Sequence, residues 1–232
     1  MFRFTYICIM KNLGLLEKII AVILMITVIF GLFIYFTDAD SFANLVREDG
    51  FYENLTSLFL FLTSITLFAK FFRYQKYYGI TWKIGVFLMA VAMFFGAGEE
   101  ISWGQRIFGV ESSEFFIQNN AQQETNLHNM VVGEVKLNKL IFSNIMSICF
   151  GIYFLVLPIL WTKSPKLKSL IDSFGISVAR NIHLFLFIGA TILILGIIDH
   201  DRKWEMWEYV FGLIMFMIVY NPLNNKEIFS EK

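Results

Sequence analysis

Long apolar runs alternate with short polar segments along most of the chain. Each approaches the roughly 20 residues that a helix needs to cross a hydrocarbon core about 30 Å thick. They cover about residues 19–36, 54–72, 82–98, 140–161, 182–198 and 204–220. The last two runs are joined only by Asp199–Lys203, which predicts a tight helical hairpin. The pattern predicts an all-α protein, a membrane helix bundle of about six transmembrane helices.

Composition favours the same class and excludes several others. The 232 residues are 57% hydrophobic and only 16% charged, and the mean hydropathy is +0.62. The sequence has no phosphate-binding loop, no dinucleotide fingerprint and no basic patch for nucleic acid. We therefore expect a single integral membrane domain over residues 1–232. It is expected to contact the lipid bilayer and not to bind nucleic acid.

The distribution of charge predicts an orientation. With the N-terminus inside, most of the 19 lysines and arginines fall in inner segments, as the positive-inside rule requires. Most of the 19 acidic residues then fall on the outer side. Both termini are predicted to be cytoplasmic, and the long connection between the third and fourth runs is predicted to lie outside.

Two adjacent carboxylates, Glu99 and Glu100, close the third run. A charged group at that depth is costly and usually faces a protein interior or a water-filled cavity. The helix dipole also disfavours an anion at the end of a helix. Arg106, the His128 side chain, a bound cation or water could each supply the partner, and hydration at the interface is the plainest alternative.

The outer segment 99–138 is the longest connection in the chain. Connections of this length are usually functional or disordered, and its apolar clusters favour a short interfacial helix or a re-entrant element acting as a lid. Within it, Glu124 and His128 are four residues apart, so they share one face if the segment is helical. That pair could bind a metal, shuttle a proton or form a simple ion pair.

The second and sixth runs add further polar residues. A stripe of five at helical spacing lies along the second run: Glu53, Thr56, Ser57, Thr63 and Ser64. Hydroxyl groups in membrane helices often only bond to carbonyls of the preceding turn or hold helices together. The stripe could therefore serve helix packing, or it could line a cavity. The sixth run begins with Glu205 and Glu208, whose carboxylates could turn inward to meet Glu99 and Glu100.

A resemblance accompanies these motifs. The run Gly98–Gly109, followed by Asn126–Asn129, resembles a group of uncharacterised bacterial multi-pass membrane proteins with a GEEISWGQ motif and an NLHN motif. The likeness includes Arg47–Gly50 and Glu53. The resemblance implies a bacterial cytoplasmic (inner) membrane and names no reaction.

The leading hypothesis is an enzyme that acts on a lipid or lipid-linked substrate in an outward-facing cavity. Glu99 or Glu100 would be the general base or a cation ligand, His128 the acid or second ligand, and Arg106 the anion contact. The candidate residues are Glu53, Glu99, Glu100, Arg106 and His128 for catalysis, and Trp103, Gln105 and Glu208 for substrate binding. Glu99, Glu100 and His128 are also the candidate ligands of a divalent metal ion.

Two other functions compete with this one. Paired carboxylates could bind a proton or cation in a coupled transporter, although the inner half of the chain offers few polar residues for a path. The protein could also be a non-catalytic membrane subunit that binds a protein partner through its outer loop.

Overall fold

A computed structural model describes residues 13–132, 135–136 and 146–231, which form a helical bundle. Its helices are, in order, α1 (Leu15–Thr37), α2 (Ala39–Leu45), α3 (Phe51–Tyr74), α4 (Ile80–Glu100), α5 (Gln105–Phe108), α6 (Glu114–Asn119), α7 (Met146–Gly151), α8 (Leu157–Lys163), α9 (Pro165–Ser173), α10 (Asn181–Ile197), α11 (Lys203–Tyr220) and α12 (Asn225–Ile228). Short 3-10 turns cover Gln75–Tyr77 and Ser102–Gly104, and a π-helical turn, Ile152–Val156, joins α7 to α8. Two-residue strands β1 (Val131–Val132) and β2 (Val135–Lys136) pair antiparallel.

The helical class predicted from the apolar runs is confirmed. Among the described residues, α1, α3 and α4 are long and apolar enough to cross a membrane. A fourth span is obtained if Ile148–Lys163 and Pro165–Ser173, bent by 119° to each other, count as one. The 17 residues of α10 are apolar but short, and residues 140–145 lie outside the described residues. The count of six stays a prediction.

The sixth apolar run forms the central helix of the bundle. Helix α11 packs against α3, α10 and α1, and side chains on all its sides are buried, including Met206, Leu213 and Met217. Apolar side chains on the surrounding helices point outward instead, as Leu88 and Ile192 do at 59% and 64% exposure. An apolar exterior of this kind marks a surface that contacts lipid or another protein. The predicted hairpin of the fifth and sixth runs is confirmed as the packed pair α10 and α11.

Two of the five residues in the polar stripe of α3 hold α3 against α4. The Ser57 hydroxyl donates to the Ala97 carbonyl and the Ser64 hydroxyl to the Ala90 carbonyl, both at 2.8 Å, so both bonds cross from α3 to α4. Thr63 donates to a carbonyl of its own helix. The hydroxyl groups named here thus bond to helix backbone. These contacts support the interpretation that the stripe serves helix packing.

Polar contacts also fix the end of the bundle opposite Glu100. The buried Glu17 carboxylate on α1 accepts from Arg180 Nη1 at 2.7 Å and from Asn221 Nδ2 at 3.0 Å. Lys70 on α3 donates to the Val219 carbonyl at 2.7 Å, near the end of α11. These bonds tie α1, α3, the start of α10 and the end of α11 to one another.

Candidate functional site

The chain reverses sharply where α4 ends. Ser102, Trp103 and Gly104 have φ values of 47°, 55° and 75°, in the left-handed region that suits glycine and strains the other two residues. The reversal folds the Trp103 indole back onto Gly98, where a Cβ atom would lie 2.8 Å from the ring. Glycine at position 98 therefore allows Trp103 to pack against the end of α4.

Glu99 fastens the following loop to this helix end. Its carboxylate accepts hydrogen bonds from Trp103 Nε1 at 2.9 Å and from the backbone amides of Leu127 and His128 at 2.6 and 3.0 Å. The side chain is almost fully buried. The dipole of α4 disfavours a carboxylate at this end of the helix. The charge-assisted hydrogen bonds to Glu99 stabilise it there. The partner of Glu99 is thus loop backbone together with an indole.

The loop over the helix end is built from side-chain hydrogen bonds rather than from a helix. Asn126 Nδ2 donates to Ser102 Oγ at 2.8 Å, and Asn120 Nδ2 donates to Asn126 Oδ1 at 2.9 Å. Ser102 Oγ in turn donates to the Glu124 carboxylate. Residues 121–130 form turns, because asparagine side chains that bond locally compete with helix formation. The segment is therefore not helical, and the condition under which Glu124 and His128 would share one face is not met.

Part of the predicted lid is helical all the same. Phe115, Phe116 and Ile117 lie in α6, so a short helix is present where these apolar residues cluster. Leu127 lies in the turn segment, and Met130 and Val131 lie at the short strand pairing. The remainder of the loop, residues 133–134 and 137–138, lies outside the described residues.

Arg106 and Gln105 hold this loop in place. The Arg106 guanidinium pairs with Asp49, just before α3, and with Glu124 in the loop. Gln105 Oε1 accepts from the Thr125 amide at 2.8 Å. Both candidate residues therefore bond to groups within the protein, and the anion contact suggested for Arg106 stays a prediction.

A cavity of about 60 Å³ lies under the loop. We call it the acidic cavity; the polar side chains that line it are Thr56, Glu99, Glu100, His128, Trp207 and Glu208. Its volume accommodates a few water molecules, or the small polar group of a ligand. The structure therefore brings together carboxylates from α4 and α11 and an imidazole from the loop.

More carboxylates surround the acidic cavity. Glu100 interacts electrostatically with Glu208, Glu53, Glu205 and Glu99. Glu53 does not line the cavity, but its carboxylate accepts a hydrogen bond from the Asp49 amide and lies close enough to repel Glu208. The acidic groups thus converge from three helices, α3, α4 and α11.

His128 is neutral in this setting. Burial lowers the pKa of its imidazole to about 4, because the charged form loses hydration under the loop. A neutral imidazole at pH 7 accepts a proton or donates a hydrogen bond. The role of acid suggested by the sequence does not fit this protonation state.

The carboxylates are not arranged as a metal site. Among the described residues, no group of three or more histidine, cysteine, aspartate and glutamate side chains could hold a metal ion. Glu99, Glu100 and His128 line the same cavity without forming such a ligand set.

An apolar groove lies on the other side of Trp103. This Trp103 groove, about 450 Å³ in volume, is lined by Leu58 and Phe61 of α3, Phe94 of α4, Trp103 itself and Phe108 of α5. Trp103 packs edge-on to Phe94, with 6.1 Å between ring centroids. Because its indole nitrogen also bonds Glu99, Trp103 separates the groove from the acidic cavity.

Several residues of the site were not candidates from the sequence. Asp49, Ser102 and Asn126 hold the loop through contacts between segments far apart in the chain. No spacing rule predicts such contacts. The only signal was compositional, a cluster of asparagine and other turn-forming residues between positions 119 and 129.

No protein-family model, no curated protein and no solved structure matches this chain. The resemblance to bacterial multi-pass membrane proteins therefore stays an expectation. Function is inferred from the geometry of the site alone.

Proposed function

We propose that this protein is a membrane-embedded enzyme that uses acid–base chemistry on a lipid or lipid-linked substrate. One observation carries the proposal: Glu100, Glu208 and the neutral His128, from three separate segments, line a single cavity at the end of α4, one of the helices that can span a membrane. Clusters of titratable groups in enclosed cavities are typical of catalytic sites. The cavity lies at the helix ends, where lipid head groups are found.

Each residue has a separate part in this scheme. Glu100 and Glu208 line the same cavity, so one of the two carboxyl groups can accept a proton while the other donates one. His128 supplies a hydrogen bond or accepts a proton. Glu99 acts as a positioning residue, because its carboxylate already accepts three hydrogen bonds.

The orientation is part of the proposal. We place the acidic cavity on the outer side of a bacterial cytoplasmic membrane, with both chain termini inside. The distribution of lysine and arginine supports this placement. A substrate in the outer leaflet would then reach the site without crossing the bilayer.

A coupled transporter has less support than an enzyme. A transported ion needs polar groups that continue from the cavity to the opposite end of the bundle. In the described part of the chain, the bundle interior below the cavity is packed with buried apolar side chains, among them Phe59, Leu213 and Met217. Thr63 lies at this depth, but its hydroxyl is bonded to its own helix.

One observation favours the third candidate, a subunit that binds a protein partner. Ile107, Phe108 and Val110 are 70%, 77% and 60% exposed beside the loop. At the membrane interface, the same side chains would insert among lipid chains. Copurification from native membranes separates the two cases, since a docking subunit would retain a partner at constant stoichiometry.

The enzyme proposal is tested by following lipid composition. The full chain is reconstituted in vesicles of a bacterial total lipid extract, and lipids are quantified by mass spectrometry over time. We expect a lipid species to be consumed by the wild type and spared by Glu100→Gln and Glu208→Gln. The exposed Glu114→Gln is the matched control and should behave as wild type. Identical lipid profiles for wild type and Glu100→Gln would contradict the proposal.

A further inference from the structure

We infer that one side of α9 is an interfacial surface that binds anionic phospholipid. The surface consists of Lys163, Lys166, Leu170 and Phe174, and we call it the α9 surface. It lies at the end of the bundle that holds the Glu17–Arg180 pair, away from the acidic cavity. The inference therefore goes beyond the proposed enzyme function and does not depend on it.

Helix α9 turns away from the direction of the helix that precedes it. The bend between Ile148–Lys163 and Pro165–Ser173 is 119°, so an α8 that crosses the membrane leaves α9 closer to the membrane plane than to the membrane normal. The end of α9 packs closely against α4, because a Cβ atom at Gly85 would overlap the Phe174 carbonyl. This contact lies near the start of α4, where a membrane-spanning helix begins.

Aromatic residues mark the same level as the head-group region. Tyr77 and Tyr78 directly precede α4, and the Tyr78 hydroxyl donates to the Glu227 carbonyl at 3.1 Å. Trp161 lies near the end of α8, and its indole nitrogen donates to Asp172 of α9 at 2.8 Å. Tyrosine and tryptophan concentrate where head groups meet the hydrocarbon core. We therefore place α9 at that boundary.

One side of α9 is fixed to the bundle. Ile171 is buried, and Asp172 accepts a hydrogen bond from Asn224 Nδ2 at 2.8 Å. Lys168 donates to the Glu227 carboxylate at 2.9 Å. These contacts determine which side of the helix faces outward.

The outward side combines positive charge with apolar surface. Lys166, Leu170 and Phe174 recur every four residues and so share one face. Lys166 is exposed, as is Lys163 just before the helix, and Leu170 and Phe174 are 53% and 37% exposed. A helix of this kind in the interface inserts its apolar side chains among lipid chains and keeps its lysines near the head groups.

The charge balance at this end of the bundle favours an anionic head group. Each acidic side chain described there already has a cationic partner: Glu17 pairs with Arg180, Asp172 and Glu227 with Lys168, and Glu231 with Arg73. In the described part of the chain, several exposed lysines at this end form no ion pair with a carboxylate, namely Lys18, Lys76, Lys163, Lys166 and Lys226. An anionic lipid supplies the missing negative charge, whereas a zwitterionic lipid carries no net charge.

Photolabelling of the full chain tests this inference. The chain is reconstituted in phosphatidylcholine nanodiscs with a trace of photoreactive phosphatidylglycerol or photoreactive phosphatidylcholine, each with a diazirine in the acyl chain near the head group. Labelled residues are mapped by mass spectrometry. We expect label on Leu170 and Phe174, with a higher yield from phosphatidylglycerol. Equal yields from the two probes would overturn the inference. Absence of label from both residues would also overturn it, because α9 would then contact water or another protein.

Two variants test whether the lysines cause the preference. Lys163→Gln combined with Lys166→Gln should lower the ratio of the two yields, by up to about fivefold for each lysine removed. Arg47→Gln removes an exposed cation just before α3, at the other end of the bundle, and should leave the ratio unchanged. An unchanged ratio in the double variant would contradict the assignment of these lysines.

Salt provides the same test on the wild type, should the double variant fold poorly. Raising the ionic strength from about 0.1 M to about 1 M shortens the screening length from about 10 Å to about 3 Å. The ratio of phosphatidylglycerol to phosphatidylcholine labelling should then fall toward one. A ratio that does not respond to salt would contradict a preference based on charge.

Discussion

The two glutamates at the end of α4 are neighbours in sequence but have different surroundings. Consecutive side chains on a helix point about 100° apart, so Glu99 turns toward the loop and Glu100 toward α11. Glu99 accepts three hydrogen bonds, and Glu100 faces other carboxylates. Glu99 therefore stabilises the structure of the loop, and Glu100 is the residue on which the proposed chemistry depends.

The role of Glu99 predicts a specific loss of loop order. Glu99→Gln keeps the shape of the side chain but replaces one acceptor oxygen with an NH₂ donor, which cannot bond the loop amides. Bonds to a charged acceptor contribute about 1.5–3 kcal/mol each, so we expect the loop to open more often. Hydrogen exchange should accelerate at the Leu127 and His128 amides. Exchange at the same amides should be unchanged in Glu114→Gln; if Glu99→Gln also leaves them unchanged, the assigned contacts are wrong.

The low pKa of His128 predicts a loss of stability in acid. The unfolded state binds a proton near pH 6.5 and the folded state only near pH 4, so folding stability is complete above pH 6.5 and falls as the pH drops toward 4. The difference corresponds to at most about 3 kcal/mol. The loss is measured as the change with pH in the unfolding free energy of the detergent-solubilised protein. His128→Phe should show a smaller loss over this range, and an equal loss in both proteins would count against a buried neutral imidazole.

At the element scale, helices and loop differ in how far the sequence predicts them. Helices α1, α3 and α4 follow directly from apolar runs, because a lipid-facing helix must be apolar along its whole length. Helix α11 is harder to classify, since it lies at the centre of the bundle and carries Glu205 and Glu208. The loop was not predictable in detail, because bonds such as Asn126 to Ser102 join segments that local patterns do not relate.

The serines of α3 predict small, additive losses of stability. Ser57→Ala and Ser64→Ala each remove one bond to α4, and such bonds contribute about 0.6 kcal/mol in membrane helices. The two changes are far enough apart in the helix that the double variant should lose about the sum. Thr66→Val, which removes a bond within α3 only, is the control and should cost less. Unfolding in mixed micelles gives the free energies; losses no larger than the control would argue against helix pairing through serine.

At the scale of the whole molecule, polar contacts fix both ends of a bundle whose middle is apolar. The acidic cavity and its loop occupy one end, and the buried Glu17–Arg180 pair occupies the other. The Glu17–Arg180 pair could not be located from the sequence, because its two residues lie far apart in the chain. The sequence did predict that carboxylates would gather at one end.

The Glu17–Arg180 pair predicts a strong asymmetry between single and double variants. Glu17 is fully buried, so Arg180→Leu removes its guanidinium partner, leaves only the neutral donors Gly14 and Asn221, and should cost about 3–5 kcal/mol. Replacing both residues with leucine should recover much of that loss. The exposed pair Arg73–Glu231 is the control, and Arg73→Leu should cost less than about 1 kcal/mol. Similar losses for Arg180→Leu and Arg73→Leu in an unfolding assay would contradict the burial of this pair.

A double-mutant cycle between Glu100 and Glu208 tests most directly whether carboxylates from α4 and α11 share one cavity. Unfolding free energies are measured for Glu100→Gln, Glu208→Gln and the double variant, with Glu100→Gln plus Glu114→Gln as the control cycle. Groups in contact couple by about 0.5–3 kcal/mol, so the two changes should be non-additive while the control cycle is additive. Additivity between Glu100→Gln and Glu208→Gln would show that the two carboxylates do not face each other.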